Sequence, residues 1–462
     1  MTGEPTIAVG IVEAPCVTFE GVFSVGESPA TIRGRCTARV ERGAVLIECG
    51  AARTTYSPGI LLTPSGDGAP SFLLCGVTIG ISFHWERKED QRFTGALRLL
   101  VRGERVVAIN VVPLEEYLAS VISSEMSSSG STSLLEAHAV TSRSWLLAQL
   151  ARSRALREGM KRPPSLREEN GLRVRWYDRE EHDLYDVCAD DHCQRYQGIT
   201  KAATPNVARA IDGTRGEALL YDGEVCDARF SKSCGGITEP FSMVWEPKNV
   251  PYLVNVRDDR GGAGSSSLAD VGVESAPGAG RSVPPDVSVE AAAGAWIRSS
   301  PDAFCNTSDR EILSQVLLKY DQETTDFYRW TVAYRQEEIA AIVRERSGVD
   351  FGAILDIVPV ERGPSGRLSL LRIVGEKKTL TIGKELEIRR TLSRSHLYSS
   401  AFVVDALDVR GGVPGNFILT GAGWGHGVGL CQIGAAVMGA RGYAPREILQ
   451  HYFPGTTLKR LY

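Results

Sequence analysis

The run VPLEEYLASVISSEM, Val112 to Met126, leads through a small polar bridge into SLLEAHAVTSRSWLLAQL, Ser133 to Leu150. Pro113 suits the first turn of a helix, and Glu115 and Glu116 suit the positive end of its dipole. Leu114, Tyr117, Leu118, Val121 and Ile122 recur at spacings of three and four and therefore share one face. Eleven positions beyond Leu114, Glu125 falls within roughly 20° of that face on a helix of 3.6 residues per turn. Desolvation at the end of an apolar stripe raises a carboxyl pKa, the condition for a general acid near neutral pH. The alternative is a helix-end carboxylate turned to water.

Ser133-Leu-Leu-Glu136 matches a capping box and predicts the start of a second helix. That helix is apolar almost all round, which predicts burial. His138, Ser142, Arg143 and Ser144 on it then need partners.

Working outward, the chain has 462 residues, 43% hydrophobic and 23% charged, ample for a large core. A net charge of −4 gives no electrostatic case for nucleic acid or an anionic membrane surface. No apolar run approaches the length of a transmembrane helix. The start, MTGEPTIAVGIVEAP, lacks a basic and then apolar leader, so the protein stays inside or its export signal is absent from this chain.

From Ile7 to Asn110, short β-branched segments bounded by Gly, Pro or charged turns predict a β-rich module over 1–111. Cys16, Cys36, Cys49 and Cys75 within it read as buried free thiols. Helices dominate from Val112 to about Arg157, and 158–185 reads as a loop or insertion. Asp222-Gly223 signals a hairpin. Gly, Ser and Pro enrichment over 258–292 predicts a flexible excursion between a first core part, 112–257, and a second, 293–462. The second part alternates helical and strand patterns. Arg389 and Arg390 there read as a solvated, ion-paired helix face or as groups facing a substrate. The fold class is α+β: a β-rich N-terminal module packed on a mixed helix and strand core, with an inserted flexible region.

Three stretches carry chemistry. HDLYDVCADDHCQRYQG gathers His182, Cys188, His192 and Cys193, the donor types of a tetrahedral zinc site, although the spacing is not a standard finger and a Cys188–Cys193 disulfide or free thiols stay open. In SKSCGGITEPFSMVW, Ser231 and Ser233 offer hydroxyls while Gly235 and Gly236 let backbone amides approach a ligand. In GAGWGHGVGLCQIGAAVMGARG, from Gly421, alternating glycines clear one edge, Trp424 offers a flat face for a pyranose ring, and His426 and Gln432 offer hydrogen bonds. The Lys-Ser/Thr element of a phosphate loop is missing. A glycine turn packed inside the fold is the alternative.

Together LEEYLASVISSEM, EAHAVTSRSW, SKSCGGIT and GAGWGHGVGLCQIG resemble, in the expected order, the motifs of the SpoIID/LytB family of bacterial cell-wall proteins. Cys234 and His138 depart from that pattern, where many members have a smaller residue and Gln. The resemblance implies a lytic transglycosylase that cleaves the MurNAc–GlcNAc bond of peptidoglycan to 1,6-anhydro ends, with Glu125 as its single acid and base. Glu239 is a weak candidate for a second carboxylate. Ser231, Ser233, Gly235, Gly236, Trp424, His426 and Gln432 would bind the glycan, and His138 and Arg143 would support the helix pair. A structural zinc on His182, Cys188 and Cys193, with water or His192 fourth, is also implied. Glycan strands are the expected partner, and the location is extracytoplasmic, in the cell envelope, with a cytoplasmic one open. The alternative is a glycan-binding protein that enhances a cell-wall amidase without cutting. A zinc-dependent amidase rests on the Cys/His cluster alone.

Overall fold

A computed structural model describes residues 3–259 and 287–462, apart from 27, 67–69, 82–85, 128–129, 162, 180–181, 201–203 and 318–323. The excursion expected at 258–292 lies, over 260–286, outside the described residues. Helices and strands mix throughout, so the fold is α+β.

The N-terminal segments form one large, mostly antiparallel sheet. Its alternation is plain in Phe72–Ile79, where Phe72 and Leu74 and, after a bulge, Val77 and Ile79 are turned into the core. Phe19, Phe23, Phe72 and Phe93 run through that core as a chain of ring contacts at 5.5–6.0 Å. Strand Thr6–Ala14 pairs antiparallel with Arg105–Pro113, which runs without a break into helix α1, Leu114–Glu125. One cysteine expectation is corrected here. The register of Ser28–Glu41 on Ala44–Cys49 sets Cys36 opposite Cys49, with Cα atoms 4.4 Å apart, and the two form a disulfide.

Helix α2, Thr132–Arg157, starts two residues earlier than expected. Its cap is Ser131, whose Oγ accepts from Leu134 N–H at 3.3 Å, so the Ser133–Glu136 box is not used. The apolar stripe of α1 and the first half of α2 are buried as predicted.

The stretch 158–185 is more ordered than a loop. Leu166–Glu169 and Leu172–Arg175 form a hairpin, and the second strand joins Thr379–Gly383 in a five-stranded sheet. Asn170-Gly171, both at positive φ, is the turn signal that announces it. Strand Glu217–Tyr221 continues through the expected Asp222-Gly223 turn and also pairs with Thr457–Arg460. Among the described residues no helix is long and apolar enough to cross a membrane.

Candidate functional site

Glu125 is the last residue of α1 and is half-buried. Its Oε1 accepts from the backbone N–H of Arg195 at 2.8 Å. Lys232 caps the same helix end, its ammonium donating to the Glu125 carbonyl at 3.3 Å and to the Val316 carbonyl at 3.1 Å. Burial raises the carboxyl above its ordinary value and Asp191 adds to this, while Arg195 and Lys232 act against it. A group so placed can hold a proton and can also release one, because hydrogen-bond donors and cations stand by for the anion.

Arg195 belongs to the Cys/His loop, which is fastened along α1. Tyr196 stacks on Tyr117 with centroids 5.1 Å apart, and Gln197 N–H donates to Ser120 Oγ at 3.1 Å. The loop's other end is pinned to the N-terminal sheet, where Val187–Cys188 pairs parallel with Val9–Gly10. Beside these anchors the donor atoms of His182, Cys188, His192 and Cys193 all lie within 4.8 Å of one another. Cys193 Sγ is 3.4 Å from His182 Nε2 and 3.5 Å from His192 Nδ1. A tetrahedral zinc with bonds near 2.1 and 2.3 Å gives nitrogen–sulfur edges of about 3.6 Å, so the residues fit the ion. His192 Nε2 lies 3.0 Å from the Tyr177 carbonyl, which can only accept, so the lone pair is on Nδ1 and faces the sulfurs. His192 would therefore complete the donor set of such an ion in place of water. With four protein donors such an ion would lack an open position and would supply rigidity.

The two distant loops meet each other. Ser233 and Trp424 exchange backbone hydrogen bonds at 3.0 and 2.8 Å, and Phe230–Ser231 pairs parallel with Leu430–Cys431. Through Lys232 the first of them reaches the Glu125 helix end.

Several expected sugar contacts are internal instead. Gln432 is buried, and its Nε2 lies 3.0 Å from His138 Nε2. His138 is buried too, and burial, with Lys232 adding to it, pushes its pKa down to about 3, so the ring is neutral and ties α2 to the distant glycine loop. His426 Nδ1 accepts from Val428 N–H at 3.0 Å and its ring packs on Trp245, so it serves its own turn. A Cβ on Gly235 would lie 2.9 Å from Gly423 N, and one on Gly236 the same distance from Tyr328 Oη. A Cβ on Gly427 would lie 2.4 Å from the Arg367 guanidinium carbon. These glycines make room for the protein's own chain and the buried Arg367, the alternative the sequence left open. Ser233 is fully buried, whereas Ser231 keeps slight exposure; neither hydroxyl has a hydrogen-bond partner among the described residues. Trp424 is partly exposed, with one face stacked on Phe327 at 4.6 Å.

Arg143 acts at the far end of α1. Its Nε and Nη2 donate to the Glu115 carboxylate at 3.0 and 2.7 Å, and Nη1 to the Glu217 carbonyl at 3.0 Å. Burial alone would raise the Glu115 pKa, but the hydrogen bonds and charge of Arg143 outweigh it and hold the group below its ordinary value. Glu239 is no open partner for Glu125. It is buried against Gly363 with Ser365 Oγ donating to it, and burial pushes it up to about 7. Arg389 pairs with Glu385 and donates to the Leu397 carbonyl, which is the structural reading of that helix. The sequence does not mark Arg195 and Lys232, whose contacts to the helix end cross 70 or more residues, nor Asp191, whose charge acts on Glu125 from the same loop as Arg195.

Residues 102–221 match the SpoIID family, Stage II sporulation protein, and residues 239–429 match DUF8618, a domain of unknown function. The first segment is thus similar to the SpoIID family over about a quarter of the chain. The chain is 24% identical over 260 residues to the amidase enhancer of Bacillus subtilis (strain 168), covering 55% of this chain but 32% of that protein. It therefore spans about a third of that relative's length. It is 23% identical over 351 residues to stage II sporulation protein D of Bacillus amyloliquefaciens, covering 76% of this chain and 75% of the relative. An uncharacterized protein of Brachyspira hyodysenteriae is 23% identical over 366 residues, covering 79% and 72%.

Proposed function

We propose that the protein works on the bacterial cell wall, in the envelope, as a lytic transglycosylase of peptidoglycan glycan strands. Protonated Glu125 donates to the oxygen of the MurNAc–GlcNAc bond, and that bond to the anomeric carbon breaks. The resulting carboxylate then takes the proton of the sugar's own 6-hydroxyl, whose oxygen closes on the anomeric carbon as a 1,6-anhydro ring. No water enters, so one carboxyl group suffices, unlike the two of ordinary glycosidases. The observation that carries this reading is the half-buried Glu125 carboxyl with raised proton affinity, clasped by Arg195 N–H. Lys232 and the open part of Trp424 would meet the glycan, while the Ser231 hydroxyl is buried. Zinc on His182, Cys188, His192 and Cys193 belongs to this reading as a brace for the loop that carries Arg195.

The test is mass spectrometry of products from denuded glycan strands. Anhydro-muramyl ends support the transglycosylase. Reducing ends would replace it with a hydrolase and bring in Asp191, the other carboxylate near Glu125. Released stem peptides would indicate an amidase. A second reading, favoured by the likeness to the amidase enhancer, is a glycan-binding stimulator of a partner hydrolase; it yields no product alone and faster cleavage by an added amidase.

A further inference from the structure

Apart from the Cys/His loop, a second group of donors gathers deep in the core. Cys234 comes from the loop after Phe230–Ser231, Asp258 from the segment that follows it, Cys305 from beyond helix Glu290–Arg298, and Cys431 from the N-cap of helix Gln432–Ala440. All four are buried, and their sulfur and carboxylate atoms lie within 4.8 Å of one another. We propose that Cys234, Asp258, Cys305 and Cys431 form a closed zinc site, distinct from the Cys/His loop and independent of glycan cleavage.

The sulfurs are spaced for an ion. Cys234 and Cys305 Sγ stand 3.6 Å apart, against about 3.8 Å for two thiolates on a tetrahedral zinc with 2.3 Å bonds and about 2.05 Å for a disulfide. Cys431 Sγ accepts from two backbone amides, Cys234 N–H at 3.3 Å and Gly434 N–H at 3.4 Å. Such donors orient a ligand sulfur and spread its negative charge. Asp258 is the group that most needs a cation. A buried carboxylate without one is costly, and its hydrogen bonds come from neutral donors, Cys305 N–H at 2.8 Å and Tyr452 O–H at 2.6 Å. The nearest ionisable base is His451, whose Nε2 stands 3.9 Å from Asp258 Oδ1 and has no hydrogen-bond partner among the described residues. Gly434 leaves the space: a Cβ there would lie 2.6 and 2.9 Å from the two Asp258 oxygens.

Thiolate-rich tetrahedral donors select zinc over magnesium or calcium. Binding releases the thiol protons to solvent and leaves each sulfur bonded to the ion. With four buried protein donors, the ion would staple the loops that carry Cys234 and Cys431 to Asp258 and Cys305 on either side of the excursion.

The experiment uses the full chain carrying Cys188→Ser and Cys193→Ser, so that the Cys/His loop has lost its sulfurs. After reduction and dialysis against zinc, native mass spectrometry is expected to find one zinc retained, and adding Cys305→Ala is expected to release it. Zinc-edge X-ray absorption on the Cys188→Ser/Cys193→Ser protein covers the case in which the triple variant does not fold; three sulfur neighbours are expected. A metal-free protein, an ion with one sulfur neighbour or none, or a Cys234–Cys305 disulfide in peptide maps of the native protein would overturn the proposal. None of these readouts depends on glycan cleavage, so the site and the transglycosylase reading fail separately.

Discussion

The backbone N–H of Arg195 and the carboxyl group of Glu125 meet at 2.8 Å across 70 residues of sequence. Arg195 lies two positions beyond Cys193, so the Cys/His loop and the acid form one mechanical unit. The donor is a main-chain group, which no substitution of Arg195 other than proline removes. Its position depends on how firmly the loop is held.

Glu125→Gln tests the acid directly. The amide keeps the size of the side chain and still offers an oxygen to Arg195 N–H, so the fold is expected to persist. Turnover of denuded glycan is expected to fall by about 10²-fold or more, the usual scale for a positioned acid–base group. Undiminished production of anhydro ends would remove Glu125 from the mechanism.

Lys232→Met separates charge from bulk. Lys232 lowers the proton affinity of Glu125, so its loss is expected to raise the carboxyl pKa further. A general acid must be protonated to act, and its activity declines as pH rises through its pKa. The alkaline limb of kcat/KM is therefore expected to move to higher pH in Lys232→Met. A profile that stays put or moves down would show that another group sets that limb.

The Cys/His loop is expected to carry one zinc, lost in Cys188→Ser/Cys193→Ser. Losing it should slacken residues 194–197 and with them the hold on Glu125. Elemental analysis of the two proteins, beside glycan turnover and hydrogen exchange at Arg195, checks the chain of cause. Equal zinc in both proteins would place the ion elsewhere.

Arg143→Met removes one partner of a buried ion pair and leaves Glu115 uncompensated, which typically costs about 3–5 kcal/mol. The pH dependence has a definite sign. The folded-state pKa of Glu115 is held below its ordinary 4.5, so its contribution is present above 4.5 and is lost as pH falls through the folded value. Urea unfolding from neutral pH down through that window should show the native protein losing this increment and Arg143→Met, already without it, losing less. Parallel curves would mean that the pair contributes nothing to acid sensitivity.

The parts of this protein that sequence made legible are those set by short-range periodicity. The α1 stripe from Leu114 to Ile122 and the alternation in Phe72–Ile79 each follow from one local rule. Glu125 was legible because a carboxylate ended such a stripe. What was not legible required distance. Cys36 and Cys49 are opposed only once two strands take their register, and Gln432 looked like an open hydrogen-bonding group because nothing nearby in sequence shows that His138 engages it. The glycines misled for a related reason: absence of a side chain marks close approach, but the approaching object was Arg367. The Asn170-Gly171 turn, by contrast, marks its hairpin from two adjacent residues.

Tyr462 donates its hydroxyl to Glu115 at 2.6 Å, across 347 residues. During synthesis Arg143 emerges soon after Glu115, so the ion pair can form early. The strand Thr457–Arg460 that lines up beside Glu217–Tyr221, and the Tyr462 hydroxyl that closes over the carboxylate, emerge from the ribosome far later. Until then the edge of Glu217–Tyr221 is bare and the buried charge is incompletely covered, a condition that invites mispairing with other chains. The segment 102–221 is thus not a portable unit. Its last edge and the cover over its buried carboxylate are supplied only by residues 457–462.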